Sequence, residues 1–138
     1  MRRKTLLVVI SIIVAGLAAC QVTQPEPVPE YNGGMLYMGY CASCHGPTGE
    51  GDGPLAGQVV TTMQSLRTIQ KRNQGVFPRD ELRAIVDGRT LRAAHGTKDM
   101  PVWGWQFYQA EAHEQEPERY VAARIDALLD FLESIQQQ

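Results

Sequence analysis

The chain has 138 residues, 43% of them hydrophobic and 20% charged, with a formal net charge of −2. That balance excludes a disordered chain and leaves room for one small domain plus accessory segments. A slight acidic excess argues against nucleic acid as a partner.

Met1-Arg2-Arg3-Lys4 is a positive start, and Leu6 to Val14 is apolar apart from Ser11. Small residues then lead to Cys20, so residues 1–19 read as an export signal. The apolar stretch is shorter than the roughly 20 residues a spanning helix needs. Leu17-Ala18-Ala19-Cys20 resembles a bacterial lipobox. That resemblance implies cleavage before Cys20 and lipid on its thiol and new amino group. An ordinary signal peptide or an uncleaved anchor is the competing reading, but lipidation also accounts for the third cysteine. The expected location is the periplasmic face of the cell membrane or the outer membrane, lipid-anchored. Gln21 after Cys20 tilts toward the outer membrane. Loss of Arg2, Arg3 and Lys4 leaves 10 basic against 15 acidic residues, a net charge of −5. Contact with the membrane must then come from lipid and not from a polybasic patch. Residues 20–32 form a tether, with proline at 25, 27 and 29 and no apolar periodicity. In an extended form of about 3.1 Å per residue it reaches roughly 30 Å.

The domain proper is expected over 33–138. Gly33 to Cys44 suits a short helix with Leu36, Tyr37 and Tyr40 about one side, stopped by Gly46 and Pro47. Its end reads Cys41-Ala42-Ser43-Cys44-His45. A Cys-x-x-Cys alone can be a thioredoxin-like pair, half a zinc site or a structural disulfide. No strand precedes Cys41, as a redox pair would require. Only Cys20, His95 and His113 remain as further zinc ligands, with no ligand pair among them. Two thiols and a following histidine match covalent haem attachment, in which Cys41 and Cys44 meet the two vinyl groups and His45 becomes an axial iron ligand.

Gly46 to Gly57 is a turn-rich loop able to fold tightly against a flat ligand. Residues 58–77 are ambiguous, with Val59, Val60, Met63, Leu66 and Ile69 in a weak helical rhythm ended by Asn73-Gln74-Gly75. Pro78 to Asp87 is a clearer helix, with Asp80 and Glu81 in its first turn and Gly88 as its cap. Arg89 to about Glu114 reads as a loop carrying Met100-Pro101, Trp103 and Trp105. Pro117 opens a long helix whose Val121, Ile125, Leu128, Leu132 and Ile135 follow a 4-3-4-3 rhythm. Strand signals are weak and no repeat is present, so the fold class is all-α.

A haem iron used for electron transfer wants two strong axial ligands, and thioether opposite imidazole raises the potential. Of the five methionines, Met1 lies in the signal, and Met35 and Met38 are too near the attachment helix. Met63 falls in a plausible helix and is expected to pack. Met100 lies in a loop 55 residues after His45, followed by Pro101.

The stretch 33–138 resembles the class I (monohaem) c-type cytochromes. The resemblance rests on Cys41-Ala-Ser-Cys44-His45-Gly46, Gly51-Asp52-Gly53-Pro54, Asp99-Met100-Pro101-Val102-Trp103-Gly104 and Leu128-Leu129-Asp130-Phe131-Leu132. It implies about three to five helices around one covalently bound haem c. It also implies Met100 as the distal iron ligand, and Pro54 as the residue whose carbonyl accepts the His45 ring N–H. The first and last helices would then cross, Gly33 and Tyr37 meeting Leu128 and Phe131. His95 is the rival ligand, read here as a loop residue, and His113 among its glutamates is read as solvated. Residues 67–98 carry a net charge of +5 and residues 111–133 a net charge of −5, which would give a dipolar surface if the two blocks fold apart.

The expected activity is single-electron transfer between redox protein partners, as a carrier without a catalytic base or nucleophile. Two rivals are a haem subunit of a larger dehydrogenase or oxidase, and a ligand-binding or peroxidatic haem protein if Met100 does not bind iron.

Overall fold

A computed structural model describes residues 26–88 and 100–137. The signal, Cys20 and His95 lie outside that range. The described residues form helices and turns with no strand: α1 (Gly33–Tyr40), α2 (Ala42–His45), α3 (Ile69–Arg72), α4 (Arg79–Asp87), α5 (Trp103–Ala110) and α6 (Pro117–Ser134). Two 3-10 turns occupy Ala56–Gln58 and Leu66–Thr68. Four helices are of ordinary length, and α2 and α3 are single turns.

α6 is the spine, and α1, α4 and α5 all pack on it. Its apolar rhythm places Val121, Ile125, Leu128 and Leu132 on the buried face, joined by Leu129. Pro117 opens it, where a missing N–H does no harm. Tyr37 and Phe107 complete the fully buried set. α1 crosses α6 at Gly33, where a Cβ would lie 1.9 Å from the Ala127 carbonyl oxygen and 3.0 Å from Phe131 Cβ. Four residues on, the Tyr37 and Phe131 rings meet with centroids 5.0 Å apart. The expected crossing is therefore present, with Ala127 rather than Leu128 beneath Gly33.

Three local expectations are corrected. The first helix does not run through to Cys44. It ends at Tyr40, and a separate turn carries the cysteines. Residues 58–77 hold no amphipathic helix. Leu66 N–H donates to the Gly49 carbonyl (2.7 Å), Gln137 N–H to the Arg67 carbonyl (2.8 Å) and Gln70 N–H to the Gln136 side chain (2.9 Å). Distant partners thus hold backbone groups that a local helix would use, and only short turns remain. The region before Glu114 is not all loop, because Trp103–Ala110 forms α5. Its Gly104 and Phe107 are buried, and Tyr40 packs edge-on against Trp103 (5.4 Å) and Phe107 (5.3 Å).

The charge blocks do not fold apart either. Arg79 on α4 reaches Asp130 (2.6 Å), Asp126 (3.3 Å) and Glu133 (3.3 Å) on α6, and Arg83 pairs with Asp126. Part of the basic block therefore neutralises the acidic one. Arg124 and Glu111 pair below the surface, with the Tyr31 hydroxyl 3.3 Å from the same Glu111 oxygen. His113 is exposed and 3.0 Å from Glu114.

Candidate functional site

α1 ends where Cys41 N–H caps the Tyr37 carbonyl, and the chain turns once more through α2. Cys44 and His45 N–H both donate to the Cys41 carbonyl (3.1 and 2.9 Å), so a single tight turn presents both thiols and the imidazole. Neither cysteine is in a disulfide, and both are half-buried. Burial, together with neighbouring Cys44, pushes the Cys41 thiol up to about 12.

The loop 51–55 is pressed onto this turn. Gly51 N–H donates to the His45 carbonyl (2.8 Å) and Leu55 N–H to the Ser43 carbonyl (2.9 Å). A Cβ at Gly53 would lie 2.5 Å from the Ser43 carbonyl and 2.7 Å from that of Ala42, so only glycine permits the approach. Pro54 sits between these two anchored residues and is itself exposed. The Nδ1 atom of His45 is sealed from solvent. The Tyr37 hydroxyl donates to the Gly46 carbonyl at 2.6 Å and ties the end of the turn back to α1.

The opposite approach is made by residues 100–104. Two helix ends fix their position. A Cβ at Gly104 would lie 1.8 Å from Asp87 Oδ1, and one at Gly88 would lie 2.4 Å from Val102 Cγ1. Gly88 also takes φ 81°, a left-handed cap that closes α4.

Between these walls lies a cavity of ≈ 330 Å³, lined by Cys41, Cys44 and His45 on one part and by Met100, Pro101 and Trp103 on another. Its size is that of small-molecule and cofactor sites (about 300–1,000 Å³). Leu66, Ile69, Leu82 and Ile85 supply apolar wall. The four residues singled out for covalent attachment and iron ligation thus come to one cavity, although Met100 is far from the others in sequence. Pro54 does not line it and lies behind the attachment turn.

Met63 is a correction, since it sits in coil and lines the cavity instead of packing in a helix. Arg72 also reaches the lining, with no motif to announce it. Trp103 lines the cavity, whereas Trp105 is exposed and stacks on Tyr108 at 5.8 Å. Trp103, Phe107 and Glu111, spaced by four and all facing inward after Pro101, were the available sign of α5.

The chemistry of the lining fits haem: two free thiols at vinyl spacing, an imidazole, a thioether and apolar walls. Searches of curated proteins and of solved structures returned no match. A family model described as cytochrome c matches residues 31–136, which spans the attachment turn, the Met100 segment and α6. With its all-α architecture and a Cys41–Cys44 pair suited to covalent haem c, the chain belongs to the cytochrome c family.

Proposed function

We propose that this haem-based electron carrier holds one haem c through thioether bonds at Cys41 and Cys44, with His45 and Met100 as the axial ligands. The observation that carries the reading is the convergence of all four side chains on one cavity. Bound haem supplies an iron that takes up and releases a single electron. The protein's part is to fix its surroundings. The turn 41–45 orients the imidazole, and the loop 51–55 packed behind it keeps water from Nδ1. In the family pattern the Pro54 carbonyl accepts that ring N–H, which raises imidazole basicity. The Met100 thioether, a soft donor, favours ferrous iron. Apolar side chains from α4 and from 66–69 exclude solvent and so limit reorganisation between oxidation states. No general base or nucleophile is needed, and the chain acts as a carrier between redox partners rather than as an enzyme.

We further propose that residues 1–19 direct export and that Cys20 carries the lipid anchor, which places the domain at the periplasmic face of a membrane. No helix among the described residues is long and apolar enough to cross one.

Intact mass and a pyridine haemochrome spectrum on protein from a haem-attaching host test both readings. The expected result is one haem per chain and a diacylglyceryl mass at the new N-terminus. The ferric charge-transfer band that reports methionine–iron bonding should be present, and lost in Met100→Ala. Survival of that band in Met100→Ala would overturn the ligand assignment.

A further inference from the structure

The part of the cavity wall formed by residues 66–73 has little to hold it from within. Leu66–Thr68 is one 3-10 turn and α3 a single helical turn, and turns this short do not persist in water on their own. Yet Leu66, Ile69, Arg72 and Asn73 all line the cavity. The start of α3 also lacks a local cap. Thr68 makes no side-chain cap bond there, and its hydroxyl donates instead to the Ser65 carbonyl (3.2 Å). That leaves the Gln70 N–H, one of the early donors that a helix start cannot satisfy internally.

Gln136, just past the end of α6, fills the gap from 66 residues away. Its Oε1 accepts from Gln70 N–H (2.9 Å). Its Nε2 donates to the Leu66 carbonyl (2.9 Å) and to the Leu132 carbonyl of α6 (2.7 Å). One amide thus caps the start of α3 and the end of α6 together, and it bridges the backbone of 66–70 to the helix that forms the spine. Gln137 N–H ties the Arg67 carbonyl (2.8 Å) and the Gly49 carbonyl ties Leu66 N–H (2.7 Å), but these are main-chain bonds that most side chains would permit. The Gln136 bridge depends on the identity of its side chain.

We propose that Gln136 is a positioning residue that latches the 66–73 wall to α6 and so keeps water and small ligands from the iron. The inference rests on the assignment of the cavity to haem. Without the bridge, the Gln70 N–H and the Leu66 and Leu132 carbonyls must turn to water. The wall then opens locally while the crossing of α1 and α6 stays closed.

Two measurements on the ferric holoprotein test this: amide hydrogen exchange, and the rate at which added imidazole removes the methionine–iron band. Gln136→Leu keeps the bulk and removes all three bonds, whereas Gln136→Glu keeps an acceptor for Gln70 and loses both donors. Gln137→Ala is the control, since its side chain donates to Glu50 at the surface (3.4 Å) and its main-chain bond to Arg67 remains. In Gln136→Leu, exchange at the Gln70 amide and imidazole entry should each quicken about tenfold, with the buried amides of α1 and α6 exchanging as before. Gln136→Glu should also speed imidazole entry, and it decides if Gln136→Leu does not accumulate. Gln137→Ala should match the wild type. Imidazole entry at the wild-type rate in the Gln136 variants, an equal gain in Gln137→Ala, or exchange that quickens evenly through α1 and α6 would overturn the latch and leave the haem assignment standing. A wild-type chain that takes up no haem would overturn both.

Discussion

Tyr37 shows how one residue can serve both the core and the site. Its ring is fully buried against Phe131, and its hydroxyl donates to the Gly46 carbonyl just past His45. Burial first, then Cys41 and Asp52, push the phenol up to about 12, so it remains a donor at any physiological pH. Tyr37→Phe keeps the ring and removes one of the two donors to the Gly46 carbonyl. A loss of about 1–2 kcal/mol is expected in chemical denaturation, at the lower end because Gly49 N–H shares that acceptor (3.2 Å). Gly33→Ala should be more damaging. The new methyl meets a helix carbonyl, which is backbone and cannot swing aside, so about 3 kcal/mol or more and a separation of α1 from α6 are expected. At this scale the site was legible where its chemistry is local: Cys41, Cys44 and His45 carry their meaning in five consecutive residues. Met63 and Arg72 were not legible. Met63 reaches the cavity from coil and Arg72 from the last position of the single-turn α3, and periodicity has nothing to say about stretches that short.

The helices that were read from sequence are those whose own pattern suffices. α6 has a proline start and a continuous apolar stripe, and α4 has acidic residues in its first turn and Gly88 at its end. α5 lacks such marks, because glycine and aromatic residues weaken its intrinsic preference, and packing of Trp103 and Phe107 under Tyr40 decides it instead. Pairing across α4 and α6 was equally hidden, since Arg79 and Asp130 meet only after the chain has folded. It has a pH signature. Burial raises the Asp126 carboxyl, but Arg83 and Arg79 outweigh it and hold the group below its ordinary value of 3.8. A depressed carboxyl stabilises the fold above that value, and its contribution is lost as pH falls through the lower folded one. Tyr37, raised from 10.0 to about 12, adds a contribution that is full below 10 and lost as pH rises toward 12. Thermal melts of Asp126→Asn should therefore show a shallower acid-side decline, and those of Tyr37→Phe a shallower alkaline one. The ion pairs are half-exposed, so each is worth about 0–1 kcal/mol and weakens with salt.

Seen as a whole, the domain is built around a space it cannot leave empty. A cavity of ≈ 330 Å³ that opens to solvent leaves its apolar walls without the packing partner that a bound macrocycle would supply. Haem binding is therefore expected to couple to folding. A Cys41→Ala/Cys44→Ala/His45→Ala variant, unable to attach or ligate haem, should retain helical content yet lose the sharp cooperative melt of the holoprotein. Circular dichroism in the far and near ultraviolet would show the two losing step with each other.

The contacts of Gly88 with Val102 and of Gly104 with Asp87 bring the end of α4 against the start of α5. Residues 87–88 and 102–104 therefore meet in one clasp. Met100 is set at the returning end by helix docking, not by what the intervening residues are. With Met100 as the proposed iron ligand, its position and the sequence of residues 89–99 become separable traits: that sequence can diverge to suit a new partner while Met100 stays in place. A bulky residue at either glycine would do the reverse, loosening the seat of Met100 without changing the sequence of 89–99.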